Sequence, residues 1–115
     1  MSDQLFGVHG QALAIRSQRL AMLASNIANA ATPGYRARDI DFGAAMDAAS
    51  SGMSMDEAAG DATRYRVPTI PSINGNTVEL STEQTLFAEN AVQYRATLAF
   101  LDGRINTIRR ALKGE

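Results

Sequence analysis

The chain contains no cysteine, which excludes disulfide bonds, thiolate nucleophiles and thiolate metal ligands. Its single histidine, His9, has no partner at the spacing of a metal site or a catalytic pair. The glycines form neither GxGxxG nor the GxxxxGK pattern of phosphate-binding loops. Tryptophan is absent and aromatics make up only 6% of the chain, so any core must be built mostly from aliphatic side chains and Met. We therefore expect neither enzyme activity nor a cofactor.

The chain also lacks the charge and the apolar segments of proteins that bind nucleic acid or membranes. Its formal net charge is −1, whereas a nucleic-acid-binding domain needs a basic surface to meet phosphates. No apolar run approaches the roughly 18 residues that span a bilayer, so we expect no direct membrane insertion. The N-terminus has an acid at Asp3 and internal arginines, unlike a secretory signal. We expect a cytosolic protein, or one exported without cleavage of a signal peptide.

The C-terminal part of the chain has the clearest pattern, and 115 residues fit one domain. Its apolar residues follow the alternating spacing of four and three that is typical of a coiled-coil seam. Ser81 and Gln84 form a capping box, and Gly114 is a stop signal. The pattern predicts a helix over 81–113. Its seam residues are Phe87, Ala91, Tyr94, Leu98, Leu101, Ile105, Ile108 and Leu112.

The N-terminal part predicts a helix over 4–31, with large apolar residues every seven positions at Phe6, Leu13, Leu20 and Ile27. We expect a mainly α fold in which the two terminal helices form an antiparallel coiled-coil hairpin. A second apolar stripe lies about 200° away around the first helix, where the same partner helix cannot cover it. We expect intersubunit contacts at Val8, Ile15, Met22, Leu86, Val92 and Phe100. The alternative is that the middle segment folds back over this stripe.

The middle segment, 32–80, is expected to be rich in loops. Pro33-Gly34 ends the first helix, and Asp39 or Asp41 caps a short helix over 42–49. Between 39 and 63 there are six acids and no Lys or Arg, which is typical of a segment that is weakly structured in isolation.

The second half of this segment carries weaker signals. Ser54 and Glu57 form a capping box that indicates one further helical turn, ending by Gly60. Residues 63–67 and 77–80 are of β type and flank an Asn-Gly turn, so a small irregular β-hairpin is plausible. We expect no large sheet.

Residues 25–42, SNIANAATPGYRARDIDF, form the most specific pattern of the chain. Asn26 and Asn29 lie three apart on one side of the helix, and their amides suit hydrogen bonds to neighbouring backbone at a buried helix end. Gly34 can supply a positive φ, and Tyr35 an apolar ring with a hydroxyl at the rim. On these grounds alone, the segment is a helix stop with a loop anchor.

The same segment resembles the signature of the rod and hook axial proteins of the bacterial flagellum, and 36–42 is most similar to the proximal rod. Residues 74–84, NGNTVELSTEQ, resemble the lead into the C-terminal helix of that family. The resemblance covers about two thirds of the chain and is weak over 43–65. The motif residues are Asn26, Ile27, Ala28, Asn29, Thr32, Pro33, Gly34, Tyr35, Arg38, Asp39, Asp41 and Phe42.

The resemblance implies a structural subunit of the proximal rod. In that family the terminal helices line a narrow export channel, and many copies stack helically into a rigid drive shaft that transmits torque. Its members are exported by the flagellar type III apparatus without signal cleavage, which implies a periplasmic place in the basal body. The implied partners are further copies of the chain, other flagellar rod proteins, and the adaptor that joins the rod to the membrane ring and the export gate.

Two other hypotheses stay open on sequence grounds. A cytosolic helical adaptor or export chaperone would use the same heptads to bind a partner helix, but it would remain in the cytoplasm and not copurify with basal bodies. Another axial protein, such as the second proximal rod protein, would share the motif of residues 25–35, although the continuation over 36–42 favours the first.

Overall fold

Two long helices dominate the computed structural model, which describes residues 2–114, with side chains described for 7–114. They are α1, Ser2–Ala28, and α4, Leu80–Lys113. Between them lie β1 (Arg38–Ile40), α2 (Phe42–Ser50), α3 (Met55–Asp61) and β2 (Thr63–Tyr65). Helices hold 67% of the residues, which confirms the predicted mainly α class. The predicted seam residue Phe6 lies outside the described side chains.

Helices α1 and α4 pack against each other at several levels. The contacts pair Asn26 with Glu83 by a hydrogen bond of 2.9 Å, Arg16 with Gln93 by one of 2.8 Å, and the rings of His9 and Phe100 with centroids 4.3 Å apart. None of the helices formed by residues 2–114 is both long enough and apolar enough to cross a membrane.

Helix α1 is interrupted at Gly7, where φ is 49° and ψ is −130°. Only glycine adopts this conformation readily, because a Cβ atom would clash with the adjacent backbone. The uninterrupted part of α1 therefore begins at Val8, and Leu101 is the last buried residue of α4. The seam prediction is wrong for Leu112, which is 84% exposed because α4 continues past the uninterrupted part of α1.

Helices α2 and α3 form a second layer that covers one face of α1. Ile15 is fully buried, and Met22 packs against the same cluster. The prediction that Ile15 contacts a neighbouring subunit is therefore wrong, and the alternative of a middle segment folded back over it is correct. Met22 is only partly buried, so its intersubunit contact stays a prediction. The layer contains few large apolar residues, but small side chains let the helices approach closely. The cluster around Ile15 consists of Ile40, Ala45, Ala59 and Ala62.

The strands β1 and β2 pair antiparallel, with Arg38 opposite Tyr65 and Ile40 opposite Thr63. The expected hairpin between 63–67 and 77–80 is therefore wrong, since β2 pairs with residues before α2 instead. Residue 77 still adds to this edge, because its backbone N–H donates to the Tyr35 carbonyl at 2.9 Å.

Two of the three predicted helix caps are present. Asp41 accepts a hydrogen bond from the Ala44 N–H at 3.1 Å at the start of α2, and Ser54 accepts one from the Glu57 N–H at 3.2 Å at the start of α3. Asp41, and not Asp39, is thus the cap of α2. The third prediction is wrong, because α4 begins at Leu80 and Ser81 lies inside it.

The residue before α4, Glu79, makes no side-chain cap. Its carboxylate instead accepts hydrogen bonds from the backbone N–H and the hydroxyl of Thr69, at 2.8 and 2.6 Å. These bonds lower the pKa of Glu79. They tie the irregular stretch between β2 and α4 to the start of the long helix.

Candidate functional site

A cluster of polar side chains joins α1, the strand pair and the start of α4. We call it the polar junction, and it comprises Arg19, Asn26, Asp39, Arg66 and Glu83. Glu83 and Asn26 are fully buried. The other three side chains are only 16–18% exposed. Charges at this depth need partners, because burial removes their hydration.

The charged side chains of the polar junction form a continuous chain of ion pairs. Arg19 donates two hydrogen bonds to Asp39, at 2.7 and 2.9 Å, in the bidentate geometry that suits a guanidinium and a carboxylate. Arg66 donates at 3.1 Å to Oδ2 of Asp39, an oxygen that also accepts from Arg19, and Arg66 also binds Glu83. Two arginines thus neutralise two carboxylates, and the four side chains come from separate parts of the fold.

The pKa values follow from this arrangement. Burial raises the pKa of Asp39, but the hydrogen bonds and charges of Arg19 and Arg66 outweigh it, and the net pKa lies below its usual range. The hydrogen bond to Asp39 raises the pKa of Arg19. Burial lowers the pKa of Arg66, and its bonds to Glu83 and Asp39 raise it by more. All three groups are therefore held in their charged forms.

Asn26 lies at the centre of the polar junction, with every hydrogen-bonding position used. Its Nδ2 donates to the Arg38 carbonyl at 2.6 Å and to Glu83 at 2.9 Å. Its Oδ1 accepts from the Arg38 N–H and the Tyr35 hydroxyl, both at 3.2 Å. An amide has two donors and two acceptor positions, so none is left unpaired. The expectation that Asn26 bonds to neighbouring backbone is confirmed.

The turn after α1 is closed by Asn76, from the segment that leads into α4. Its Nδ2 lies 2.7–3.1 Å from the carbonyl oxygens of Asn29, Ala30 and Thr32, which follow the end of α1. Gly34 has a φ of 75° and donates its N–H to the carbonyl of residue 74. The two segments that carry the family resemblance, 25–42 and 74–84, therefore contact each other.

The remaining motif residues support the same turn. Asn29 donates its amide to the Ser25 carbonyl at 2.8 Å and accepts from the Thr32 hydroxyl at 3.0 Å. The Phe42 ring lies 4.0 Å below the guanidinium of Arg16, a cation–π contact. Ile27 is half-buried, whereas Ala28, Pro33, Arg38 and Asp41 are exposed.

The buried face of α4 runs beside the predicted seam. Its fully buried residues Glu83 and Asn90 stand seven apart, and Asn90 donates to the Arg16 carbonyl at 2.9 Å. Leu98, on the predicted row, is 39% exposed. The predicted seam residues that are half-buried are Leu13, Leu20, Ile27, Phe87, Ala91, Tyr94, Ile105 and Ile108. Leu101, which is on the predicted seam, is buried as well. A search for apolar periodicity misses Glu83 and Asn90 because they are polar.

Three of the predicted intersubunit residues are exposed. Val8 is 54% exposed, Val92 66% and Phe100 47%, whereas Leu86 is half-buried. We call Val8, Val92 and Phe100 the apolar stripe. These three side chains and Leu98 are apolar and stay exposed on α1 and α4 among residues 7–114.

The chain also matches known proteins. The sequence model of the family described as flagella basal body rod protein matches residues 6–36. A FlgB from Cereibacter sphaeroides is 50% identical, with 98% of this chain and 96% of the relative covered. FlgB proteins of Aeromonas hydrophila and Escherichia coli are each 38% identical, with 98% and 90% of this chain and 96% and 88% of the relatives covered.

These relatives are named as rod proteins of the flagellar basal body, a structural family and not an enzymatic one. This decides against the adaptor and chaperone hypothesis. Identity at this level over nearly the whole length leaves one assignment. The chain belongs to the FlgB family of flagellar basal body rod proteins.

Proposed function

We propose that this chain is a structural subunit of the proximal rod. Copies of it assemble helically with other rod proteins into the rigid shaft that transmits torque and encloses the export channel. The observation that carries this proposal is the apolar stripe, which stays exposed although α2 and α3 cover Ile15 on the same row of α1. Apolar side chains that stay exposed on helices are typical of surfaces that associate with other chains.

Within each copy, we take α1 and α4 to be an antiparallel coiled-coil hairpin. The support is the order of their contacts, since positions 26, 16 and 9 of α1 meet positions 83, 93 and 100 of α4. The polar junction clamps the hairpin at the end where α1 stops. A clamp of buried ion pairs resists sliding of one helix along the other, because any shift leaves a buried charge without its partner.

Between copies, the apolar stripe and the edge residue Leu86 are the contact surface. A stripe that meets a different surface of its neighbour makes a heterologous contact, which builds open helical assemblies. Further partners are the adaptor between rod and membrane ring and the export gate. The rod stands in the periplasm, and its subunits are exported without a cleaved signal. A chain without cysteine can cross redox compartments without misoxidation.

The test is a charge placed on the apolar stripe. Val92→Asp should leave the helix content by circular dichroism unchanged but stop swimming and remove the chain from purified basal bodies. Gln84→Asp, at an exposed polar position of the same helix, is the matched control and should swim normally. Normal motility and normal rod content in Val92→Asp cells would contradict the proposal.

A further inference from the structure

Two parts of the fold each carry several exposed charges of a single sign. The last part of α4, which we call the basic end, carries Arg104, Arg109, Arg110 and Lys113. The layer of α2 and α3, which we call the acidic layer, carries Asp41, Asp47, Asp56, Glu57 and Asp61 and no basic residue. Among the side chains of residues 7–114, none of these nine forms an ion pair.

Each of these surfaces also has a feature that could position a partner. On the basic end, Leu112 is 84% exposed. On the acidic layer, a depression of about 430 Å³ opens between α1 and the connection from α2 to α3. It is lined by Gly10, Ala49, Met53 and Met55, among others. Methionine side chains adapt their shape readily and are frequent at binding surfaces.

The basic end makes no ion pair with the acidic layer of its own chain among residues 7–114. The layer packs against α1, where Gln18 donates to Asp56 at 3.2 Å. Phe100 of α4 packs on His9 near the start of the uninterrupted part of α1, and α4 continues from Leu101 to Lys113 for about 18 Å at 1.5 Å per residue. We therefore take the complementary partner to be another molecule.

We propose that the basic end of one copy docks on the acidic layer of a neighbouring copy, with Leu112 in the depression beside Met53. This inference rests on the proposed self-assembly and names the two surfaces that meet. Exposed ion pairs are individually weak, so the apolar contact is needed to give the docking its position. The two surfaces differ, so the contact repeats from copy to copy and builds an open chain. The helix dipole explains the sign of the charges at the basic end, but not the exposure of Leu112.

The first experiment uses the natural absence of cysteine. A Met53→Cys/Leu112→Cys variant, oxidised in purified basal bodies, should give a ladder of disulfide-linked dimers, trimers and larger species on a non-reducing gel. The control is Ile73→Cys/Leu112→Cys, since Ile73 is fully exposed and lies in the loop before α4. A ladder that is absent from the first variant, or equally strong in the control, overturns the proposal.

The second experiment tests the charges in the same crosslinking background. Arg109→Glu/Arg110→Glu should reduce the ladder at least tenfold, and adding Asp47→Arg/Asp61→Arg should restore it. Asp47 and Asp61 lie in the last turns of α2 and α3, where basic residues suit the helix dipole, so these changes should not unfold the layer. Failure of the restoring pair would mean that the basic end binds another rod protein or a lipid surface, and would overturn the proposal.

The amount of this chain in purified basal bodies distinguishes a failure of the docking proposal from a failure of the proposed rod function. If the Met53→Cys/Leu112→Cys chain is present in basal bodies without a ladder, the docking proposal fails while the proposed rod function stands. If the natural chain itself is absent from purified basal bodies, the proposed function fails.

Discussion

Removing Arg66 should destabilise the fold more than any other single change at an arginine. Arg66 is the side chain that joins the two carboxylates of the polar junction, Asp39 and the fully buried Glu83. In Arg66→Met the aliphatic stem is kept, but Glu83 retains only the amide of Asn26. Removing one member of a buried ion pair costs about 3–5 kcal/mol. Arg66 is itself 18% exposed, so we expect the lower part of that range, about 3 kcal/mol.

Urea unfolding of the purified chain, followed by circular dichroism, measures this loss. With an m-value of about 2 kcal/mol/M, the unfolding midpoint should fall by about 1.5 M. Arg64→Met is the matched control, because Arg64 is exposed and donates only to backbone carbonyls. Its free energy of unfolding should change by no more than about 0.5 kcal/mol.

A double variant tests whether the loss comes from the unpaired charge. In Arg66→Met/Glu83→Gln the buried group is neutral and can still accept the hydrogen bond from Asn26, so at least about 1 kcal/mol should be regained relative to Arg66→Met. The reasoning is refuted if Arg66→Met is as stable as Arg64→Met, or if the double variant is less stable than Arg66→Met.

Three further predictions concern other parts of the fold. Ile15→Asp should lower the free energy of unfolding by more than about 3 kcal/mol because it places a charge in the buried cluster, whereas Val8→Asp should cost under about 1 kcal/mol; equal losses in urea unfolding would contradict this. Asn76→Ala should cost about 1 kcal/mol in the same assay, since it removes the hydrogen bonds from the Asn76 amide to the carbonyls that follow α1, and a loss below about 0.5 kcal/mol would count against the described turn. The lowered pKa of Asp39 contributes stability above its unfolded value of about 3.9, and this is lost as the pH falls through the folded pKa; Asp39→Asn should therefore show a smaller decline in stability on acidification, and an unchanged decline would refute the link.

The prediction that Ile15 lies on an exposed stripe was wrong, and the reason shows what sequence patterns cannot predict. Periodicity placed Ile15 in an apolar row of α1, but it could not say whether the same chain would cover that row. The covering layer is built mostly from alanines. Alanines give only a weak signal in a hydrophobic pattern, but their small volume allows close packing. Only half of the expected intersubunit surface therefore remained exposed.

The seam of α4 also shows what the sequence pattern predicted and what it missed. The heptads predicted the long helix to within one residue at each end. The helix is nevertheless rotated toward a row that contains Glu83 and Asn90, because these two residues bond to side-chain and backbone groups of α1. A search for apolar residues cannot detect such a row, since the value of a buried polar side chain depends on partners that lie far away in sequence.

Local signals alone determined the two terminal helices, the caps at Asp41 and Ser54, the turn at Gly34 and the family, because each depends on residues that are close along the chain. Tertiary structure decided what the segment from 36 to 79 does: the pairing of β1 with β2, the burial of Ile15 and the ion pairs of Arg66. These contacts join residues 17 or more positions apart. Their energy comes from burial and charge pairing in three dimensions, which no spacing of residues within one segment records.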